Sequence, residues 1–194
     1  MPTSPRVRLG PILLEASFVV LGVFVALVAN EWRADANARA HAAHARAGIV
    51  EEIAANRAAV AEAHAYHERL LDTLRTYFPP ERPPPPPAVF DRGFVHAATL
   101  LRTAWDAANA TDAVSHMDYD EVLAFSTLYA EQARYERAAQ NAGSVIYSEI
   151  VEHGVPGVAE NFRNLSYLIG ANTYLEAELL AAYDEMLDAL GEAP

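Results

Sequence analysis

LGPILLEASFVVLGVFVALVA, residues Leu9 to Ala29, decides how the rest of the chain is read. The stretch is 21 residues long and carries one charge, Glu15. As an α-helix it rises about 30 Å, the hydrocarbon thickness of a bilayer. Pro11 falls in the first turn, where its missing N–H leaves no helical bond unmade. Asn30, Trp32 and Arg33 follow at once and supply the polar and aromatic edge of a membrane–water interface. Core helices of soluble proteins rarely hold so long an apolar run. A cleaved signal peptide has a shorter one, closed by a small-x-small pair. Here the first such pair is Ala34-Asp35-Ala36, beyond Trp32-Arg33. The expectation is an uncleaved anchor crossing the membrane once.

Within that anchor Glu15 is costly in hydrocarbon. It marks a contact with another helix, or it lies shallow enough for its carboxyl to reach the headgroups. Gly22 and Ala26 form a small-xxx-small pair that permits close helix approach. Glu15, Gly22 and Ala26 are thus the candidates for membrane-helix contact, and Asn30, Trp32 and Arg33 the interfacial anchor. Arg6 and Arg8 precede the span while Arg33, Arg39 and Arg46 follow it, so the basic residues nearly balance. A short basic tail ahead of an anchor favours export of the long C-terminal part.

Composition narrows what that part can do. The 194 residues include 14 arginines, 26 acids, no lysine and no cysteine, for a net charge of −12. Nucleic acid is excluded as a partner, because phosphate binding needs a basic footprint. Without cysteine there is no disulfide framework, thiolate chemistry or Cys-ligated metal. Without lysine there is no Walker-type phosphate loop and no Schiff base. The charge is also uneven: residues 51–194 hold nine arginines and 23 acids, and none of the arginines follows Arg163.

Residues 34–78 read as one long helix continuing the anchor, first an alanine-rich stalk and then an amphipathic stretch. From Ile49 a seam of period 3.5 runs through Ile53, Asn56, Val60, Ala63, His67, Leu70, Leu74 and Tyr77. Its polar members, Asn56 and His67, could set register between two copies, as a lone Asn does in a coiled coil. The preferred reading is ordinary packing of an amphipathic helix on its own domain, because four short heptads are marginal evidence for a coiled coil. Residues 79–89, with the run Pro83 to Pro87, form a stiff connector. Residues 90–194 supply the remaining helices. One spans Phe90 to Asn109, with Phe94, Ala97, Leu101 and Trp105 on one face. The next opens with Asp118 and Glu121 in a D-x-x-E capping pattern and carries an interruption near Gly143. After the turn Gly154-Val155-Pro156-Gly157, the last runs from Val158 to Leu190. The expected fold is all-α, an N-terminal transmembrane helix leading into an antiparallel bundle of about four helices.

The search for chemistry yields little. His41 and His44, and His64 and His67, each share a helix face, but the pairs lie roughly 35 Å apart along one helix. His64 and His67 with Glu68 could join a zinc site completed by another helix. Asp118 to Glu121 is the densest acidic cluster and reads as a helix start that complements the macrodipole. No serine sits in G-x-S-x-G and no glycine-rich loop opens a helix. The expectation is a protein without catalytic residues or cofactor.

The string LLEASFVVLGVFVALVANEWR resembles a bacterial family of single-span membrane proteins, a domain of unknown function, with an acidic residue early in the span and an N-x-W motif after it. Glu15, Gly22, Asn30 and Trp32 occupy the matching positions. The stretch Thr103 to Glu136 is similar to the helix, small-residue turn and Tyr-Asp/Glu-Glu helix start of the same family. The chain departs from it in lacking the lysines that usually follow the span. The resemblance implies a bacterial inner-membrane location but no activity, cofactor or catalytic residue. The expected partners are the bilayer and a protein or a second copy, and the alternative is a ligand- or metal-sensing bundle that signals through its stalk.

Overall fold

In the computed structural model the chain is described over residues 9–191, and its side chains from Ser17 onward. Four helices and two short 3-10 turns make up the fold, with no strand among the described residues. Helix α1, Leu9–Arg75, is unbroken for 67 residues, about 100 Å. Its only proline, Pro11, lies in the first turn, and alanine-rich sequence carries it across the stalk.

Every described side chain from Ser17 to Asn37 is exposed, so this part of α1 lies outside the bundle core among the described residues. It includes Phe18, Phe24 and Trp32, each more than 60% exposed. Among the described residues this is one helix long and apolar enough to cross a membrane. None of that span's described window is buried in this chain's own core. Gly22 and Ala26 lie here, with open space around Gly22. Asn30, Trp32 and Arg33 sit at the end of the apolar stretch, all exposed. The Glu15 side chain lies outside the described residues.

From Ala42 onward α1 enters the bundle. Ile49, Ile53, Asn56, Val60, Ala63, His67, Leu70 and Leu74 are all buried, so the 3.5-residue seam faces this chain's own core rather than a second copy. Helix α4, Phe162–Ala189, runs antiparallel to α1: Arg57 pairs with Asp184, His67 with Glu176, and Arg163 donates to the Phe78 carbonyl. Helix α3, Tyr119–Glu160, runs parallel to α1, with Arg46 against Glu121, Glu52 against Tyr129 and Asn56 against Gln132.

Two parallel helices require a return path, and here the expectation fails. The helix expected over Phe90–Asn109 is absent at its start. A 3-10 turn covers Pro87–Phe90, residues 95–102 have no regular structure, and only Thr103–Ala110 is helical, as α2. Ala97 and Leu101, expected on a buried helix face, are exposed. The crossover descends between α1 and α3, where side chains of both helices take up its backbone groups.

Helix α3 starts as the capping pattern predicts: Asp118 accepts from the N–H of Asp120 at 3.0 Å and of Glu121 at 3.2 Å. The Glu121 carboxylate does not close the box but reaches Arg46 on α1 at 2.7 Å. The helix passes through Gly143 without the expected interruption. It breaks instead at Gly154, whose φ of 71° and ψ of 170° suit a residue without Cβ. One helical turn follows before the chain reverses at Asn161, so α4 begins four residues later than expected. Val158 and Ala159, on that turn, are buried in the core cluster that also holds Phe162 and Leu165.

Candidate functional site

The bundle interior is unusually polar for its size. Glu52, Asn56, His67, Gln132, Asn172 and Glu176 are all buried. They occupy core-facing positions of three helices: Glu52, Asn56 and His67 on α1, Gln132 on α3, Asn172 and Glu176 on α4. Buried polar groups are costly unless paired. Here the crossover backbone partners Glu52, Asn56, His67 and Gln132, side chains partner Glu176, and Asn172 Nδ2 has no partner among the described residues.

Asn56 forms the centre. Its Oδ1 accepts the Leu101 N–H at 2.7 Å, and its Nδ2 donates to the Leu101 carbonyl at 2.7 Å and to Gln132 Oε1 at 3.1 Å. Gln132 Nε2 donates to the same carbonyl at 3.1 Å, and Tyr183 donates to Gln132 Oε1 at 2.9 Å. Every donor meets an acceptor, which fixes the orientation of both amides.

One turn nearer the stalk, Glu52 receives the Tyr129 hydroxyl at 2.6 Å and the Ala104 N–H at 2.8 Å. Ala104 lies in the first turn of α2, whose own N-cap, Arg102, offers no side-chain bond. A carboxylate 52 residues away therefore caps this helix, and its charge complements the helix dipole. Burial pushes the Tyr129 phenol well above its usual range, and the bond to Glu52 pushes it further.

Toward the far end, His67 Nε2 accepts the His96 N–H at 2.9 Å. The imidazole proton therefore sits on Nδ1, which donates to Glu176 at 2.9 and 3.0 Å from its two oxygens. Tyr135 accepts the Ala98 N–H at 3.0 Å and lies 3.3 Å from Glu176 Oε1, to which it donates. Burial raises its phenol too. His64 Nδ1 is 3.7 Å from Glu176 Oε2, beyond hydrogen-bond range, and is buried without a partner.

The structure thus brings Glu176 of α4 to His64 and His67, the pair for which a zinc site was considered. The donor set does not fit a metal. Ligation through His67 Nδ1 would move the ring proton to Nε2, against the His96 N–H. Among the described residues no group of three or more His, Asp or Glu side chains is arranged to hold an ion. Nor does the His–Glu–Tyr cluster offer a free base: His67 and Glu176 are fully buried, and both ring nitrogens of His67 are engaged.

Of the positions singled out in the sequence, Asn56 and His67 join this network, while Gly22, Ala26, Asn30, Trp32 and Arg33 stay apart on the exposed helix. Glu52, Gln132 and Glu176 were missed, although a signal exists. Gln132 is in phase with Phe125, Leu128 and Tyr135, and Glu176 with Ile169, Leu179 and Tyr183. A polar residue at a core position points to an internal partner, backbone for Gln132 on α3 and side chains for Glu176 on α4. Comparison with family models, with curated proteins and with solved structures returns no match to this chain.

Proposed function

We propose that this is a non-catalytic, membrane-anchored protein whose helical body binds a protein partner or a second copy, as an accessory subunit of a membrane complex. The observation that carries this reading is the unbroken α1. One helix is apolar and exposed over its first part and becomes the central element of the bundle core over its second. A rigid rod of this kind holds the body at a set height and orientation relative to the bilayer. Glu52, Asn56, His67 and Gln132 brace the crossover, in keeping with recognition at the surface of the body. The acidic body is repelled by anionic lipid and suited to a basic partner. The location that goes with this reading is the bacterial inner membrane, a single span with the body in the periplasm, in keeping with the single-span family that the N-x-W region resembles.

Mild-detergent purification at native expression, with identification of what accompanies the chain, tests the proposal. The expected result is a stable complex or oligomer, weakened by Glu15→Gln or Gly22→Leu if the span takes part. A lone monomer under all mild conditions would overturn it. A C-terminal reporter active only outside the cytoplasm tests the orientation separately.

A further inference from the structure

At the end of the bundle nearer the apolar segment, the outer faces of α3 and α4 leave a groove of about 390 Å³. Its floor is apolar and partly of small residues: Leu123, which is 53% exposed, Ala124, Ala182 and Met186. Its rim carries three carboxylates, Asp120, Glu131 and Glu185, and no cation lines it. One turn beyond Glu131, the Arg134–Glu178 ion pair at 2.9 Å crosses from α3 to α4 and closes the far end. The near end reaches the start of α3 and the end of α4, on the side of the bundle from which the apolar segment leaves. From Asp120 to Glu131 the groove follows about 16 Å of helix, or three turns.

We propose that this groove receives a basic amphipathic helix of a partner membrane protein, emerging from the bilayer beside α1. The inference rests on the partner-binding reading above and deepens it. Small residues on two antiparallel helices allow a third to lie close along them, its apolar face on Leu123 and Met186. Three carboxylates without a counter-cation select arginine or lysine on the flanks of that helix. Height also matters: Arg46, beside the near end, lies 14 residues past Trp32, about 21 Å along α1, so a helix entering there comes from just outside the membrane. A second copy in the same membrane meets these needs less well. At that height the fully exposed residues of its α1 are Ala47, Glu51, Ala54, Ala55 and Ala58, and its part-exposed Arg46 and Arg57 are held by Glu121 and Asp184.

A photo-crosslinking residue placed at Leu123 or Ala189 of the full-length chain at native expression, with a control at the distant, 80% exposed Tyr167, tests the proposal. Crosslinks are expected from the two groove positions to one membrane protein. The captured peptide should carry arginine or lysine at helical spacing beside an apolar face. Glu131→Arg with Glu185→Arg should lower that yield at least ten-fold while leaving the thermal melt of the body unchanged. Crosslinks from Tyr167 alone, a captured segment without basic residues, or a yield indifferent to the charge reversal would overturn the groove and leave partner binding standing. Crosslinks from no position, together with purification as a lone monomer, would overturn both.

Discussion

The side-chain amide of Asn56 brackets the backbone of Leu101, accepting its N–H and donating to its carbonyl, each at 2.7 Å. The pairing imitates one rung of a β-ladder between a helix side chain and a non-helical strand. Asn56→Ala would strand the Leu101 N–H, while the Leu101 carbonyl keeps Gln132 Nε2 and Gln132 Oε1 keeps Tyr183. An unsatisfied buried group costs about 1–3 kcal/mol, so the variant should lose about 1–3 kcal/mol in urea unfolding. Because the seam faces its own bundle, oligomer size should not change. A loss of stability below about 0.5 kcal/mol, or a change in oligomer size, would contradict this account.

Glu52 caps α2 from another helix, which predicts a local effect. Glu52→Gln keeps the shape but removes the charge and turns one acceptor into a donor. The expected loss is about 1–2 kcal/mol, as for other helix caps. Faster amide hydrogen exchange should be confined to residues 103–117, with the seam of α1 unaffected. Uniform acceleration across the bundle would mean that Glu52 acts on global stability rather than on this cap.

The His96 N–H dictates the tautomer of His67. Nitrogen NMR of the imidazole should report a neutral ring with the proton on Nδ1. The opposite tautomer would refute the assignment. His67→Leu leaves Glu176 buried with Tyr135 as its remaining close donor, and should destabilise the body by about 3 kcal/mol or more. Double substitution with Glu176→Leu should recover part of that loss, since neither polar group is then stranded.

Burial raises the phenols of Tyr129, Tyr135 and Tyr183 above the usual range. In the unfolded chain these groups ionise near pH ~10. Above that pH the unfolded state holds fewer protons than the folded one. Stability is therefore complete below about pH 10 and falls as pH rises further, by up to about 1.4 kcal/mol per pH unit for each group. Phenolate absorbance should rise in two stages, with the buried tyrosines appearing only as helical signal is lost. Simultaneous titration of all nine tyrosines with the helices intact would exclude this.

Much of the helical framework is written locally. The seam of α1 from Ile49 to Leu74, the Asp118 cap and the apolar periodicity of α4 each follow from spacing, and all three are observed. Where tertiary partners compete with local preference, the local pattern misleads. Phe94, Ala97, Leu101 and Trp105 have helical spacing, yet the segment that holds the first three is not helical. The side chains of Asn56, His67, Gln132 and Tyr135 offer its backbone the hydrogen bonds that a helix would otherwise have supplied. Gly143 and Gly154 differ for a related reason. A glycine is tolerated within a helix, and only Gly154 sits where the chain must take a positive φ.

By itself the sequence determined an all-helical chain, an apolar N-terminal segment long enough to cross a bilayer, an acidic body and the side of α1 that faces inward. These depend on composition and on the 3.6-residue period, both local properties. The tertiary structure alone decided that the return between α1 and α3 is not helical, that Glu52, Asn56, His67 and Gln132 converge on it, and that Glu176 backs His67 from α4. Such convergence joins residues up to 109 apart. A buried polar side chain is costly until its partner arrives, and in this chain the partners come from backbone and side chains whose positions only the packed bundle defines.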